Sequence, residues 1–128
     1  DGVDPNVRLR LQRAANVSAA DYIQNLRDRE RGIAQVDALF DRFDVLVMPT
    51  VSIVAPTMEE ISTPEGFTAK NISALRNTSI WNFFDVCGIS LPIRLGNALP
   101  CGLMLVGRHG DDRKLLTIAA AVERQLEA

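Results

Sequence analysis

Lysine is nearly absent from this chain, and each scarcity in it excludes something. Lys70 and Lys114 are the only lysines, His109 is the only histidine, and Cys87 and Cys101 are the only cysteines. Two cysteines make no disulfide framework, and a reduced, cytoplasmic setting is the expectation. One histidine with two cysteines leaves no cluster at zinc-ligand spacing, so no metal site is expected. Basic residues number 14 against 16 acidic ones, a net charge of −2. No basic face is left to release counterions, which excludes nucleic acid as the main partner. No apolar run reaches the roughly 18 residues that a membrane helix needs. The chain opens Asp-Gly-Val-Asp-Pro, without the charged-then-apolar start of a signal peptide. It has no initial Met, so it is expected to belong to something longer. No Gly-x-Ser-x-Gly elbow, Gly-x-Gly-x-x-Gly or Walker loop occurs.

What is present reads as an α/β unit. Hydrophobic residues make up 47% of its 128 residues and charged residues 23%, enough apolar material for one domain with a core. Asp4-Pro5 is a helix start, which predicts a first helix over about 5 to 15. Ser18 and Asp21 form a near capping box. Tyr22, Leu26, Ile33, Val36, Phe40 and Phe43 follow at helical spacing, so positions 5–43 are expected to be helical. The charges from Arg27 to Arg31 read as a solvated face of paired ions. Gly32, inside this helix, costs about 1 kcal/mol relative to Ala, which a close packing approach would explain.

Val45-Leu46-Val47-Met48, stopped by Pro49, predicts a strand over 45–48 buried on both faces. Positions 49–70 carry Pro49, Pro56 and Pro64 and read as a long loop, a kind that is usually functional or mobile. Lys70 beside it reads as a solvated lysine, with reach into a pocket as the alternative. Positions 71–87 read as helical and, being apolar nearly all round, as deeply buried. Positions 89–107 predict an antiparallel hairpin whose strand, at Pro92, lies at an edge or an irregularity. Positions 111–127 predict a closing helix with Leu115, Ile118, Ala119, Val122 and Leu126 inward.

Candidate chemistry is sparse. A Cys87–His109 thiol–imidazole pair is conceivable, but a thiol in an apolar run is usually inert core and a lone turn histidine usually lies at the surface. Asn77, Asn82 and Asp85 fall inside the most apolar segment. There they read as buried, hydrogen-bonded ties; alternatively, Arg76, Asn77, Thr78 and Asn82 edge a pocket. By residues alone the chain is an α/β unit with a long loop beside a polar cluster.

Several pieces, in order, resemble the C-terminal part of amidase signature enzymes. They are Arg42-Phe-Asp-Val-Leu-Val-Met-Pro-Thr50 with Ala55-Pro56, the Asn82 to Pro92 stretch, Pro100-Cys-Gly-Leu-Met-Leu-Val-Gly-Arg108, and Leu115-Leu116 through Glu123. Asp85 and Cys87 stand where the commonest pattern has Gly and Pro, and Met104 replaces a frequent Gln. This points to a general amidase branch, related to the glutamyl-tRNA(Gln) amidotransferase branch but outside it.

The resemblance implies part of an α/β/α sandwich: about three strands, one buried and two in a hairpin, with three to five helices. It implies hydrolysis of carboxamide C–N bonds by a Ser–Ser–Lys triad carried in a Gly/Ser-rich region. No segment here resembles that region, so no catalytic residue is assigned. The substrate-binding candidates that it implies are Thr50, Arg76, Asn77, Thr78 and Asn82, as a pocket wall. The implied partners are the N-terminal part of the same amidase and a small-molecule amide, with no cofactor. Uncovered apolar strands further predict pairing with a second copy. The alternative is a non-catalytic binding or assembly module built on the same substructure.

Overall fold

The computed structural model describes residues 2–4, 7–8, 11–12, 15–93, 96 and 98–126. The expected first helix falls largely outside the described residues; of those described, 7, 8, 11 and 12 are helical. Helix α1 spans Ala19–Asp37 and continues as a 3-10 turn, Ala38–Asp41. Strand β1 is Leu46–Pro49, helix α2 is Pro64–Phe83, strands β2 and β3 are Cys87–Ile93 and Cys101–Gly107, and helix α3 is Asp112–Leu126.

The sheet order is β1-β3-β2, with β3 in the centre and antiparallel to both neighbours. The register pairs Leu105 with Val47 on one side and with Ile89 on the other. Side chains alternate between the faces of a strand, so Leu105, Leu103, Ile89 and Leu91 share one face. Helix α3 covers that face with Leu115 and Ala119, and Ile118 and Val122 pack around them. Leu126 stays exposed at the end of the helix. Met48, Met104, Val106 and Ser90 lie on the opposite face. There the Trp81 indole of α2 donates to Met48 Sδ at 3.0 Å. The unit is therefore an α/β layer structure with helices on both faces of three strands.

Local rules account for the element ends. The Ser18 hydroxyl accepts from Asp21 N at 3.1 Å while Asp21 accepts from Ser18 N, the reciprocal capping box. Gly32 has a packing reason, because a Cβ there would lie 2.4 Å from the Phe84 ring. Arg108, just past β3, bonds Asp41 at 2.5 Å and lies 3.1 Å from Asp37, fastening the end of α1 to the sheet. Lys114 pairs with Asp44 at 2.9 Å. Cys87 and Cys101 lie opposite Gly107 and Ile93, at the two ends of the β2–β3 ladder. That separation of about 20 Å keeps them from bridging.

Three expectations are corrected. Helix α2 begins at Pro64, inside the stretch read as loop, because Thr63 caps it by accepting from Gly66 N and Pro64 takes the first helical position. No residue of α2 is buried, in spite of its apolar composition. Strand β1 is covered on one face only, and Val47 is 55% exposed, since α3 packs over β2 and β3 and stops short of it.

Gly102 sits under the Thr50 and Ser90 hydroxyls, each 2.6 Å from where its Cβ would be. Gly102→Ala should force those hydroxyls apart and cost about 1–3 kcal/mol. Thermal unfolding reads this directly, and a wild-type midpoint would contradict the packing described.

Candidate functional site

The chain leaves β1 at Pro49 and is held there by a polar node. Thr50 N donates to Gly102 O at 2.8 Å, and the Thr50 and Ser90 hydroxyls are 2.5 Å apart. From α2, Asn77 Nδ2 donates to Pro49 O at 2.8 Å. Two residues further on, Ser52 Oγ donates to Ser73 O at 2.7 Å. Thr50 and Asn77, from different parts of the sequence, thus meet at the end of β1. Each already has a partner that fixes the loop.

Helix α2 presents two different faces. At about 3.6 residues per turn, Ile72, Leu75, Arg76, Ile80 and Phe83 share one side. All five are exposed, Ile72 at 62% and Phe83 at 49%. Asn82 is exposed at the margin of this side. Thr78 is half-buried and donates weakly to Leu75 O at 3.4 Å. Of the residues expected at a pocket, Arg76 and Asn82 face solvent, while Thr50, Asn77 and Thr78 turn toward the protein.

On the other side of α2 the 50–63 loop borders an open hollow of about 150 Å³, lined by Ile53, Pro56, Ile61, Phe67, Lys70, Asn71 and Ala74. Lys70 reads from sequence as a solvated loop lysine, but it is helical and bonds Glu60 Oε1 at 2.5 Å. That ammonium, with the Thr57 backbone N–H, holds the Glu60 carboxyl below its ordinary value. Sequence reasoning misses the hollow because its loop residues follow no period. A usable signal is Phe67, Lys70, Asn71 and Ala74 at helical spacing.

The polar residues read as buried are not. Asn77 is half-buried and Asn82 and Asp85 are exposed. Asp85 follows the end of α2 with φ of +55° and pairs with Arg29 at 2.5 Å, whose guanidinium also lies 5.6 Å from the Phe83 ring centre. A left-handed residue is the usual end of a helix, most often Gly.

Cys87 and His109 do not act on one another. Cys87 Sγ donates to Arg108 O at 3.1 Å, and His109 Nδ1 bonds Asp85 O at 2.5 Å. Burial, then the nearby Asp112 charge, pushes the Cys87 thiol up, so the thiolate needed for attack is disfavoured. Among the described residues no His, Cys, Asp or Glu group is placed to hold a metal ion, and no helix is long and apolar enough to cross a membrane.

Comparison with known proteins places this substructure. A family model described as Amidase matches residues 1–116. The chain is 37% identical over 122 residues to 2-amino-5-chloromuconic acid deaminase of Comamonas testosteroni, covering 94% of this chain and 26% of that protein. It is 31% identical over 106 residues to a glutamyl-tRNA(Gln) amidotransferase subunit from Saccharolobus solfataricus, covering 82% of this chain and 21% of that one. The structure of Kluyveromyces lactis allophanate hydrolase superposes with a TM-score of 0.71 at 25% identity, over 89% of this chain and 18% of that chain. The chain thus spans about a quarter or less of the length of these relatives.

Proposed function

This chain belongs to the Amidase family, and on that premise we propose that it is the C-terminal part of a hydrolase that cleaves carboxamide C–N bonds. The nucleophile comes from the upstream part of the same polypeptide, as a Ser with its Ser–Lys partners. In that scheme the Ser attacks the amide carbonyl, ammonia or an amine leaves, and water then hydrolyses the acyl-enzyme. This chain supplies the fold that carries one wall of the acyl pocket.

The observation that carries this reading is the bare side of α2. Ile72, Leu75, Ile80 and Phe83 are large, apolar and exposed, although burying each would be worth about 1.5–3 kcal/mol. Arg76 is the cation that α2 itself carries on this side, and the Arg29 guanidinium, paired with Asp85, lies by the Phe83 ring. Apolar walls with a guanidinium set among them suit a ligand that has an apolar body and an anionic end. The similarity to a protein named for deaminating 2-amino-5-chloromuconic acid supports a ligand that carries a carboxylate. Thr50 and Asn77 serve by holding the end of β1 against α2. Asn82, at the margin, is the remaining polar group offered to the pocket.

The test is made on the longer polypeptide that includes the upstream part. Ile80→Trp adds bulk to an exposed position, so stability should hold while KM for bulky acyl amides rises about tenfold relative to small ones. An unchanged preference, with the fold intact, would contradict the assignment of this side of α2 to the pocket.

A further inference from the structure

Helix α1 is covered along only half of its length. Tyr22, Leu26, Arg29, Ile33 and Val36 succeed one another at spacings of 4, 3, 4 and 3, so they form one stripe along one side of the helix. From Arg29 onward the stripe is half-buried. Arg29 pairs with Asp85, the Phe84 ring comes up against Gly32, and Asp37 lies by Arg108. The first ten residues of α1 are by contrast all exposed, Tyr22 at 59%. Ten helical residues run for about 15 Å, and over that length the inward stripe is bare. We propose that Tyr22 and Leu26, with Ile23 beside them, are the seat of an apolar surface from the upstream part of the same polypeptide, a proposal that rests on this chain being part of a longer amidase.

Position and size identify that occupant. The bare stripe is continuous with the bare side of α2: at its boundary the Arg29 guanidinium lies 5.6 Å from the centre of the exposed Phe83 ring. Whatever covers Tyr22 and Leu26 therefore borders the wall assigned to the acyl pocket, where the part that brings the nucleophile has to arrive. A second copy of this chain would bring none. Three half-exposed side chains also offer only roughly 200–300 Å², far less than the about 1,200 Å² that separate chains bury in a stable interface. A surface joined covalently to this chain needs less, because its association is intramolecular. The chain spans 26% of the Comamonas relative, so most of such a polypeptide is available to supply that surface.

The test compares amide hydrogen exchange in the 128-residue chain and in the longer polypeptide. Amides from Ile23 to Asp28 should exchange at least about 100-fold more slowly in the longer one. Leu26→Asp should leave the midpoint of the isolated chain almost unchanged and abolish most of that protection in the longer polypeptide. If that variant does not accumulate, Leu26→Ala, which favours the helix itself, should still lose about tenfold. Ala20→Asp, exposed on the opposite side of α1, should change neither. Three results would overturn the proposal: equal exchange in both lengths, Ala20→Asp losing as much protection as the Leu26 variants, or protection in the isolated chain that rises with its concentration, the mark of a second copy. Exchange needs no turnover, so the two readings fail separately. Protection in a longer polypeptide that cleaves no amide would sink the hydrolase reading alone, and amide cleavage with an unprotected stripe would sink this one alone.

Discussion

Leu105→Ala should lower the unfolding free energy by about 3–5 kcal/mol. Leu105 lies at the middle of the central strand and is 1% exposed. Its side chain belongs to the cluster that joins β2, β3 and α3 through Leu91, Leu115 and Ala119. Truncation removes the transfer free energy of the lost carbons and leaves a cavity that a strand paired on both sides cannot collapse. A domain of this size is stable by only about 5–15 kcal/mol, and few others among the described residues are fully buried. The loss should therefore take a large share of the total. Denaturant unfolding should show a lower midpoint with little change in slope. A loss below about 1 kcal/mol would mean that the core lies elsewhere.

Arg76→Ala should lower kcat/KM for an acidic amide by about 10–100-fold in the polypeptide that carries the upstream part, with little change in stability. Arg76 stands on the exposed side of α2 among Ile72, Leu75 and Ile80. Once a substrate covers that side, the guanidinium and the substrate's carboxylate face one another with little water between them. A hydrogen bond to a charged group is worth about 1.5–3 kcal/mol in such settings, and a planar guanidinium can make two. Arg76→Lys keeps the charge but loses the fork, so it should restore only part of the rate. An uncharged amide should be almost indifferent to both changes. Equal losses on acidic and neutral amides would show that Arg76 acts through the fold and not on the substrate.

Much of the architecture is legible in the sequence where local chemistry and tertiary packing agree. Ser18 and Asp21 announce the start of α1, and the hairpin and α3 follow from alternation and from the stripe through Leu115 and Ala119. The start of α2 is equally written, in Thr63-Pro64. It is lost when Pro64 is taken together with Pro49 and Pro56 as loop punctuation. The exposure of α2 is illegible for a physical reason: an apolar side awaiting a ligand or another part of the protein has the same composition as a buried one. Asp85 misleads in another way. A polar residue in an apolar run suggests burial, yet it is exposed and left-handed after a helix end. The family's usual Gly at that position points to this conformation. At the site, the Pro49-Thr50 motif leads to the node with Asn77. The hollow stays hidden because half of it comes from aperiodic loop residues.

The most direct test is ammonia or amine release from a panel of carboxamides, measured for the 128-residue chain alone and for the polypeptide that includes the upstream part. No release is expected from the chain alone, and release is expected from the longer polypeptide, lost when its upstream Ser is replaced. Ammonia released by the isolated chain itself, and abolished by Cys87→Ala, would contradict an upstream nucleophile and return the chemistry to this chain.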